Sequence, residues 1–314
     1  MHLIVAHAVA PTIEDLRGMS SWYGQSLPNL HRVVSRWQVA HEDLRGPTTL
    51  NTPDERAMAT TLGWDAADGQ LPLVAWQVEA APGQAWGRLT PCHWSASAEH
   101  IRLADPQSLG LTAQDSQTLL DSVRALWEAD GFELVWHSPL TWYVSHPTLV
   151  DMPCASLDRV VGRQVDTWLG QDPRLRLLRR LQSETQMVWH AHPLNEQREQ
   201  QGLPAINSVW LSDCGALKQA LAVTEASYHW DVTLRDAAWQ GDLQAWQEAC
   251  KALDQRVAQW CRPDADPALQ RLTLCGEQGS RTWVPSSGSR LRWAPWRRLW
   301  AATQSPWQEA LEGL

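Results

Sequence analysis

The chain has 314 residues, a formal net charge of −9 and a sequence pI near 5.6. This length is enough for a substantial buried core. The acidic balance argues against nucleic acid as the main partner, because phosphate binding needs a basic surface. No run approaches the ~18 consecutive apolar residues that indicate a membrane span. The start, MHLIVAHAVAPTIEDL, lacks a basic leader. We therefore predict a cytoplasmic protein that binds neither nucleic acid nor membrane.

The first third of the chain predicts short strands and helices. Residues 3–9 are apolar and predict a buried strand. Residues 27–39 have apolar side chains at helical spacing, and Thr52-Pro53 predicts the start of a second helix. Residues 71–78 and 85–90 predict strands on either side of a Pro-Gly turn.

The middle of the chain carries clearer signals. Thr112 predicts the start of a helix with a capping box to Asp115, and Gly131 predicts its end. Residues 132–136 and 141–144 predict a hairpin.

Three further elements are predicted downstream. A long amphipathic helix over 174–192 is ended by Pro193, and a strand follows over 205–211. Residues 269–275 and 281–285 predict a final pair of strands. The basic, Trp-containing stretch at 290–298 favours a solvated helix face over an anion site.

A repeat of apolar residues at steps of four and three lies near the C-terminus. Its members are Trp239, Leu243, Trp246, Cys250, Leu253, Val257 and Trp260. Gly241-Asp242 predicts a break, with Asp242 capping the longer helix. This seam favours packing within the chain over a coiled-coil dimer.

Strands that alternate with helices favour an α/β fold. We predict a single domain over residues 1–314 with a central, mainly parallel sheet flanked by helices. The alternative is a separate C-terminal elaboration of helices and strands at 233–314, with the joint in residues 213–233. The 6 cysteines have no metal-ligand spacing and predict buried thiols, so no metal site is predicted.

Candidate ligand-binding residues lie in three stretches. His93 and His100 lie in a loop after a predicted strand, where open α/β sheets place ligands. The alternative is that both close the loop through hydrogen bonds. Asp158, Arg159 and Arg163 follow. The two arginines are four residues apart, so on a helix both could clamp one anion, or they could form surface ion pairs.

The stretch from Arg179 to Gly215 is the densest in placed donors and acceptors. Its candidates are Glu184, Asn195, Arg198, Asn207 and Ser212. Arg198 could hold a carboxylate or a phosphate. The alternative is a structural junction, in which Arg198 ties the loop to a strand carbonyl and the two asparagines satisfy turns.

The blocks TPCHW, HIRLADPQSL, SLDRVVGR, RRLQSETQM and HPLNEQREQQGLPAINSVWLS resemble the RpfE-type regulatory proteins of proteobacteria. That group is commonly filed with the cofactor-independent phosphoglycerate mutases. The resemblance implies an alkaline-phosphatase-like core, in which Asp and His hold two divalent metals and a Ser is the nucleophile. The family's Asp at the end of the first strand is replaced here by the run Ala6-His7-Ala8.

The resemblance therefore implies a regulatory protein on a catalytically degenerate scaffold. It would bind a small anionic ligand or a protein partner and hold no cofactor. The alternative is a metal-dependent phosphoryl-transfer enzyme, a mutase or phosphatase, whose divalent metal ligands would come from His7, His93, His100, Asp158 and Glu184. A third hypothesis is an assembly module that uses the seam at 239–260. Enzyme status and oligomeric state stay open.

Overall fold

The computed structural model of this chain describes residues 1–10, 13–96, 100–170, 172–219, 228–286 and 306–314. The chain divides into two compact units. Unit 1 combines Met1–Thr48, Pro53–Gly63 and Val223–Leu314, and unit 2 combines Thr49–Thr52 with Trp64–Ala222. The boundary between Ala222 and Val223 lies inside the segment 213–233, where the sequence predicted a joint if the chain was subdivided. The single domain over 1–314 stays a prediction, and the stretch at 290–298 lies outside the described residues.

The elements are numbered in chain order. The described strands are β1 (His2–Val5), β2 (Gln38–Asp43), β3 (Ala85–Cys92), β4 (Trp94–Ala96), β5 (Ile101–Leu103), β6 (Glu133–Ser138), β7 (Thr141–Ser145), β8 (Ser208–Ala216), β9 (Tyr228–Asp231), β10 (Arg271–Cys275) and β11 (Ser280–Val284). The described α-helices are α1 (Ile13–Ser26), α2 (Pro28–Arg36), α3 (Pro53–Thr61), α4 (Leu73–Gln77), α5 (Ala113–Ala129), α6 (Leu157–Val160), α7 (Arg176–His190), α8 (Pro193–Gln200), α9 (Arg235–Gln240), α10 (Leu243–Trp260) and α11 (Pro306–Leu311). The predicted α/β class is thus confirmed in the broad sense of a mixed α/β protein.

Unit 1 contains a five-stranded mixed sheet in the order β2-β11-β10-β1-β9. β1 pairs in parallel with both β9 and β10. The pairs β10–β11 and β11–β2 are antiparallel. Among the described strands, the parallel pairs are therefore only β1–β9 and β1–β10, so the prediction of a mainly parallel sheet is too strong. His2 lies opposite Tyr228 on one side and Arg271 on the other, so β1 completes its pairing only with strands from the far end of the chain.

One face of this sheet carries the core of unit 1. Leu3 and Val5 of β1 and Leu272 of β10 are fully buried against the helices. The other members of the cluster include Leu30, Val33, Trp246, Cys250, Leu253 and Val257. The seam at 239–260 thus packs within its own unit, as predicted, and burial of these side chains supplies most of the stabilisation.

The ends of the seam helices are also as predicted. Gly241 ends α9 with a φ of 65°, a left-handed conformation that suits glycine. The Asp242 side chain accepts a hydrogen bond from the Ala245 N–H at 2.9 Å and caps α10. Asp254 of α10 in turn accepts from the N–H groups of Asn29 and Leu30 at 3.0 and 2.8 Å. These N–H groups open α2 and have no partner within that helix, so α10 completes α2.

Unit 2 contains a four-stranded antiparallel sheet in the order β6-β7-β3-β8. Its main core lies between one sheet face and the helices α5 and α7. Thr112 accepts from the Asp115 N–H at 3.1 Å and caps α5, and β6–β7 forms the predicted hairpin. No helix in the described ranges is both long and apolar enough to cross a membrane.

Some predicted elements are wrong or shifted. The strand predicted over residues 71–78 is wrong, because Leu73–Gln77 form the helix α4. A short apolar run fits either structure. The helix predicted over 174–192 is α7, and Pro193 starts α8 in addition to ending α7. The strand predicted over 205–211 begins at Ser208 and continues to Ala216.

Candidate functional site

The contacts of Asn195 account for the start of β8 at Ser208 and not at the predicted residue 205. Its side-chain amide donates to the backbone oxygens of Trp189 and Ile206, at 2.9 and 2.8 Å. Its side-chain oxygen accepts from the Ile206 N–H at 2.8 Å. Asn195 is only 3% exposed. These bonds satisfy the backbone just ahead of the strand, which is the role of a buried junction residue.

His93 and Asn207 tie the same loop to the end of β3. The His93 Nδ1–H donates to the Ala205 oxygen at 2.7 Å. Asn207 accepts from the Trp94 N–H at 2.7 Å and donates to the Trp94 oxygen at 3.0 Å. The structure therefore brings these two candidates together around backbone groups.

Arg198 is buried in the same junction. Its Nε donates to the Pro204 oxygen at 2.9 Å and its Nη2 to the Leu109 oxygen at 2.6 Å. Burial lowers the pKa of its guanidinium. Two of its donors are thus committed to carbonyls, as expected for the predicted alternative of a loop tie.

Arg159 and Ser212 lie elsewhere in unit 2. Arg159 is 2% exposed, and its Nη2 donates to the Thr49 hydroxyl at 2.7 Å and to the Asn51 oxygen at 3.2 Å. Ser212 is fully buried in β8, opposite Arg88 of β3. The candidates therefore do not converge on one point.

The helical clamp predicted from Arg159 and Arg163 is wrong in its geometry. The helix α6 spans only Leu157–Val160, and Gly162 follows with a φ of 73°. Arg163 is therefore not one helical turn above Arg159. Its backbone oxygen accepts from the Leu103 N–H, which ties this segment to β5. Beside it, the Gln164 side chain donates to Nδ1 of the exposed His100 at 2.9 Å.

Glu184 lies on the outer face of α7. Its nearest cation is Arg180, at 4.0 Å, and both side chains are more than a third exposed. Pairs of this kind contribute little to stability. Glu184 is therefore apart from the junction.

A groove that the sequence did not single out lies between α7 and β8. It encloses about 520 Å³ of empty space, part of it open to solvent. Its apolar walls come from Leu89, Trp127, Trp168, Leu175, Leu178, Val209, Trp210 and Leu211. We call it the α7–β8 groove. Its residues all belong to unit 2.

The polar atoms of its walls are largely engaged. The Trp210 indole N–H donates to the Ala155 oxygen at 3.0 Å, and Gln182 donates to the Val209 oxygen at 2.6 Å. Trp127 donates to the Thr185 hydroxyl at 3.1 Å. The walls therefore present mainly apolar surface, which is typical of small-molecule sites.

One cation lies on this groove. Arg179 of α7 donates through Nη2 to the backbone oxygens of Leu169 and Gly170. Its Nε and Nη1 have no protein partner in the described part of the chain. The two carbonyls thus fix the guanidinium and leave donors available.

A largely buried ion pair joins β3 and β8 of unit 2. Asp213 has a φ of 58°, and its side chain forms an ion pair with Nε of Arg88 at 2.8 Å. Burial raises the pKa of Asp213, Arg88 lowers it and the nearby Asp158 raises it again. The Ser212 hydroxyl has no hydrogen bond of good geometry, yet it lies close enough to lower that pKa.

The metal-dependent alternative requires a cluster of metal ligands. Among the described residues, no group of three or more His, Cys, Asp or Glu could hold a metal ion. Of the candidate ligands, His93 contacts the Ala205 oxygen and Glu184 contacts Arg180.

The comparisons with known proteins find distant structural neighbours. No protein-family model and no curated protein matches this chain. A cofactor-independent phosphoglycerate mutase from Thermoplasma acidophilum DSM 1728 is 14% identical, with a TM-score of 0.35 over 92% of this chain and 91% of that chain. The PH0037 protein from Pyrococcus horikoshii is 12% identical, with a TM-score of 0.47 over 92% and 87%. Both TM-scores are below 0.5.

Sequence reasoning missed Arg179 and Gln182 as groove residues, although both lie in the stretch that it singled out. On an amphipathic helix, polar residues beside the apolar stripe look like solvated positions. The one available signal was that Arg179 and Gln182 are three residues apart, so they lie on the same side of α7.

Proposed function

We propose that this chain is a ligand-binding regulatory protein that does not act as a catalyst, and that it binds a small anionic molecule with an apolar body. The ligand would occupy the α7–β8 groove. The observation that carries this proposal is an open apolar groove with one fixed, partly unpaired arginine beside it.

The walls select the body of the ligand. Trp127, Trp168 and Trp210 line the groove with parts of their aromatic rings, and the leucine side chains that line it offer no hydrogen bonds. An apolar or aromatic body that leaves water for this groove gains about 25 cal/mol for each Å² that it buries. A strongly hydrated body would lose hydrogen bonds to water without replacement.

Arg179 selects the charge. Its Nε and Nη1 could donate to a carboxylate or phosphate, and charge-assisted bonds of this kind are stronger than neutral ones. Arg159 and Arg198 are less suited to this role, because each already donates to backbone or hydroxyl oxygens in a buried setting. The earlier candidates around Asn195 and Asn207 would then support the loop, and their direct role in binding stays a prediction.

The regulatory part of the proposal rests on the resemblance to RpfE-type proteins, which stays a prediction. The same holds for a degenerate alkaline-phosphatase-like core, for a protein partner and for the metal-dependent phosphoryl-transfer alternative.

The test is titration calorimetry with three apolar anions: indole-3-acetate, octanoate and phenyl phosphate. Each is paired with a neutral analogue of the same body. We expect at least one anion to bind, and Arg179→Gln to weaken it by about tenfold. Arg124→Gln is the matched control, because Arg124 of α5 also donates to a backbone oxygen, that of Leu134 at 3.0 Å, and does not line the groove.

A second variant separates loss of the groove from loss of Arg179. Ala155→Leu adds volume at a groove wall and keeps the arginine, so it should also weaken binding while the protein still melts cooperatively. Equal affinity for anions and neutral analogues, or no binding of any anion, would overturn the proposal.

A further inference from the structure

The second face of the unit 1 sheet is hydroxyl-rich. The helix α3 covers part of it, and the α3 residues that line the open space, Ala57, Thr60 and Thr61, have short side chains. The strands below contribute Thr273, Ser280 and Thr282, together with His2 and His41. Between these groups lies a cleft with about 510 Å³ of empty space, part of it open to solvent. We call it the α3–sheet cleft.

His2 organises the floor of this cleft. Its Nδ1 lies 3.0 Å from the Thr61 hydroxyl, and its Nε2 lies 2.8 Å from the Thr273 hydroxyl. The Thr61 hydroxyl donates its proton to the Ala57 oxygen at 2.8 Å. It can therefore only accept from His2, which assigns the proton to Nδ1.

This position of the proton also fixes the donor and the acceptor in the other hydrogen bonds of the floor. His2 Nε2 accepts from Thr273, and Thr273 accepts from Thr282 at 2.8 Å. The lone pairs of the Thr282 hydroxyl are left to face the cleft. A continuous chain of hydrogen bonds fixes each hydroxyl, so the floor is preorganised.

Three groups around the cleft have no hydrogen-bond or ion-pair partner among the residues that the structure describes. They are the exposed Arg271 guanidinium, the exposed His41 imidazole and the Ser280 hydroxyl. Asp43 also lines the cleft, but Arg45 and Arg56 neutralise it at 3.2 and 2.8 Å. The net charge available to a ligand is therefore positive, from Arg271.

We propose that the α3–sheet cleft binds a small hydroxylated molecule with one anionic group, a sugar phosphate by chemical class. Arg271 holds the anionic group, and Ser280, Thr282 and His41 meet the ligand hydroxyls. Hydroxyl groups and imidazoles both donate and accept, which suits an alcohol ligand better than an apolar one. This site lies in unit 1 and does not depend on the α7–β8 groove.

The experiment is a titration of the full chain with glycerol 3-phosphate, ribose 5-phosphate and glucose 6-phosphate. Inorganic phosphate and glucose serve as reference probes. Affinity is measured by calorimetry, and the site is located by nitrogen-15 NMR of the histidine side chains. We expect at least one sugar phosphate to bind at least about tenfold more tightly than inorganic phosphate or glucose, and to shift the His2 and His41 signals.

Variants test the assignment of groups. Arg271→Gln should weaken the sugar phosphate by about tenfold and leave any weak glucose binding unchanged. Arg262→Gln, an exposed arginine of the same unit, is the matched control. Ser280→Ala tests the hydroxyl contact without a change of charge and should weaken binding by a few-fold.

Several outcomes would overturn this proposal. They are no binding of any sugar phosphate, equal affinity for inorganic phosphate, or binding that leaves the His2 and His41 signals in place. An unchanged affinity in Arg271→Gln would do the same. Binding of the apolar anions in the α7–β8 groove affects neither result, so the two proposals can fail separately.

Discussion

The α7–β8 groove and the α3–sheet cleft are both spaces beside a helix and a sheet, yet their chemistry is opposite. The helix α7 brings Leu175 and Leu178 to its groove. The helix α3 brings Ala57, Thr60 and Thr61 to its cleft. The backbone architecture therefore leaves a space in each unit, and the size and polarity of a few side chains decide what that space can bind.

The two spaces also differ in how their walls are kept stable. In the groove, burial of large apolar groups supplies the stabilisation. In the cleft, the polar groups of the floor are stable because each finds a partner, from Thr61 through His2 and Thr273 to Thr282. This difference can be tested one wall at a time.

The largest effect should come from the apolar wall. Leu178→Ala removes a side chain that is 6% exposed and belongs to the core of unit 2. We expect the free energy of unfolding to fall by about 3 kcal/mol, because transfer and cavity terms add. Urea denaturation measures this change. A loss below about 1 kcal/mol would mean that the wall can collapse, and the contrast with the cleft would then weaken.

The second largest change in the free energy of unfolding should come from the protonation of His2. Burial, followed by the positive charges of Arg271 and the Met1 amino group, lowers the pKa of His2 to about 4. The unfolded chain takes up a proton near the ordinary value of 6.5. Stability from neutral His2 is therefore fully present above pH 6.5 and is lost as the pH falls from 6.5 towards 4.

We expect this loss to be about 2 kcal/mol after allowance for solvent screening. The control is His2→Gln, which cannot titrate in this range. The difference in unfolding free energy between the two proteins is followed from pH 7 to pH 4. If the two curves stay parallel, the floor of the cleft does not hold His2 neutral.

A matched pair of threonine variants tests the order of the hydrogen-bond chain. Thr273→Val breaks it in the middle and leaves both His2 and Thr282 without their partner, so it should cost about 1.5 kcal/mol. Thr282→Val removes only the last donor and should cost about 0.5 kcal/mol. Urea denaturation distinguishes the two, and equal costs would contradict the assigned direction.

The smallest effect should come from the rim of the cleft. Thr60 is exposed on α3 and its hydroxyl donates only to the Arg56 oxygen of the preceding turn, at 2.9 Å. Thr60→Ala should change the free energy of unfolding by less than about 0.5 kcal/mol, since alanine has the higher helix propensity. A larger loss in the same denaturation assay would show that the rim is part of the structural core.

The sequence predicted the strongly patterned elements well. The helix α5 and the seam of α10 have long apolar periods and side-chain caps at Thr112 and Asp242, so local chemistry decides them. It predicted α4 wrongly, because an apolar run of this length, with three buried residues in a five-residue helix, has no period that separates a helix from a strand.

The candidate sites depended on contacts that no local pattern reveals. The floor of the cleft joins His2, Thr61, Thr273 and Thr282, which lie at three distant places in the chain. Arg198 and Asn207 were singled out by residue type alone, and residue type cannot tell a donor that faces a ligand from one that faces a carbonyl. The fold class was therefore accessible from the sequence, whereas the position of a site was not.

The pairing of β1 has a consequence for the order in which a newly made chain acquires structure. His2 pairs with Tyr228 and Arg271, and Asn29 with Asp254, so unit 1 needs both ends of the chain. Residues 64–222 of unit 2 are contiguous and leave the ribosome much earlier. We expect unit 2 to become protease-resistant first. The apolar strand β1 would stay unpaired until its partner strands are synthesised, and chaperones could bind it during that time. Proteolysis of stalled nascent chains of increasing length would show this order, and protection of the first forty residues before residue 228 emerges would contradict it.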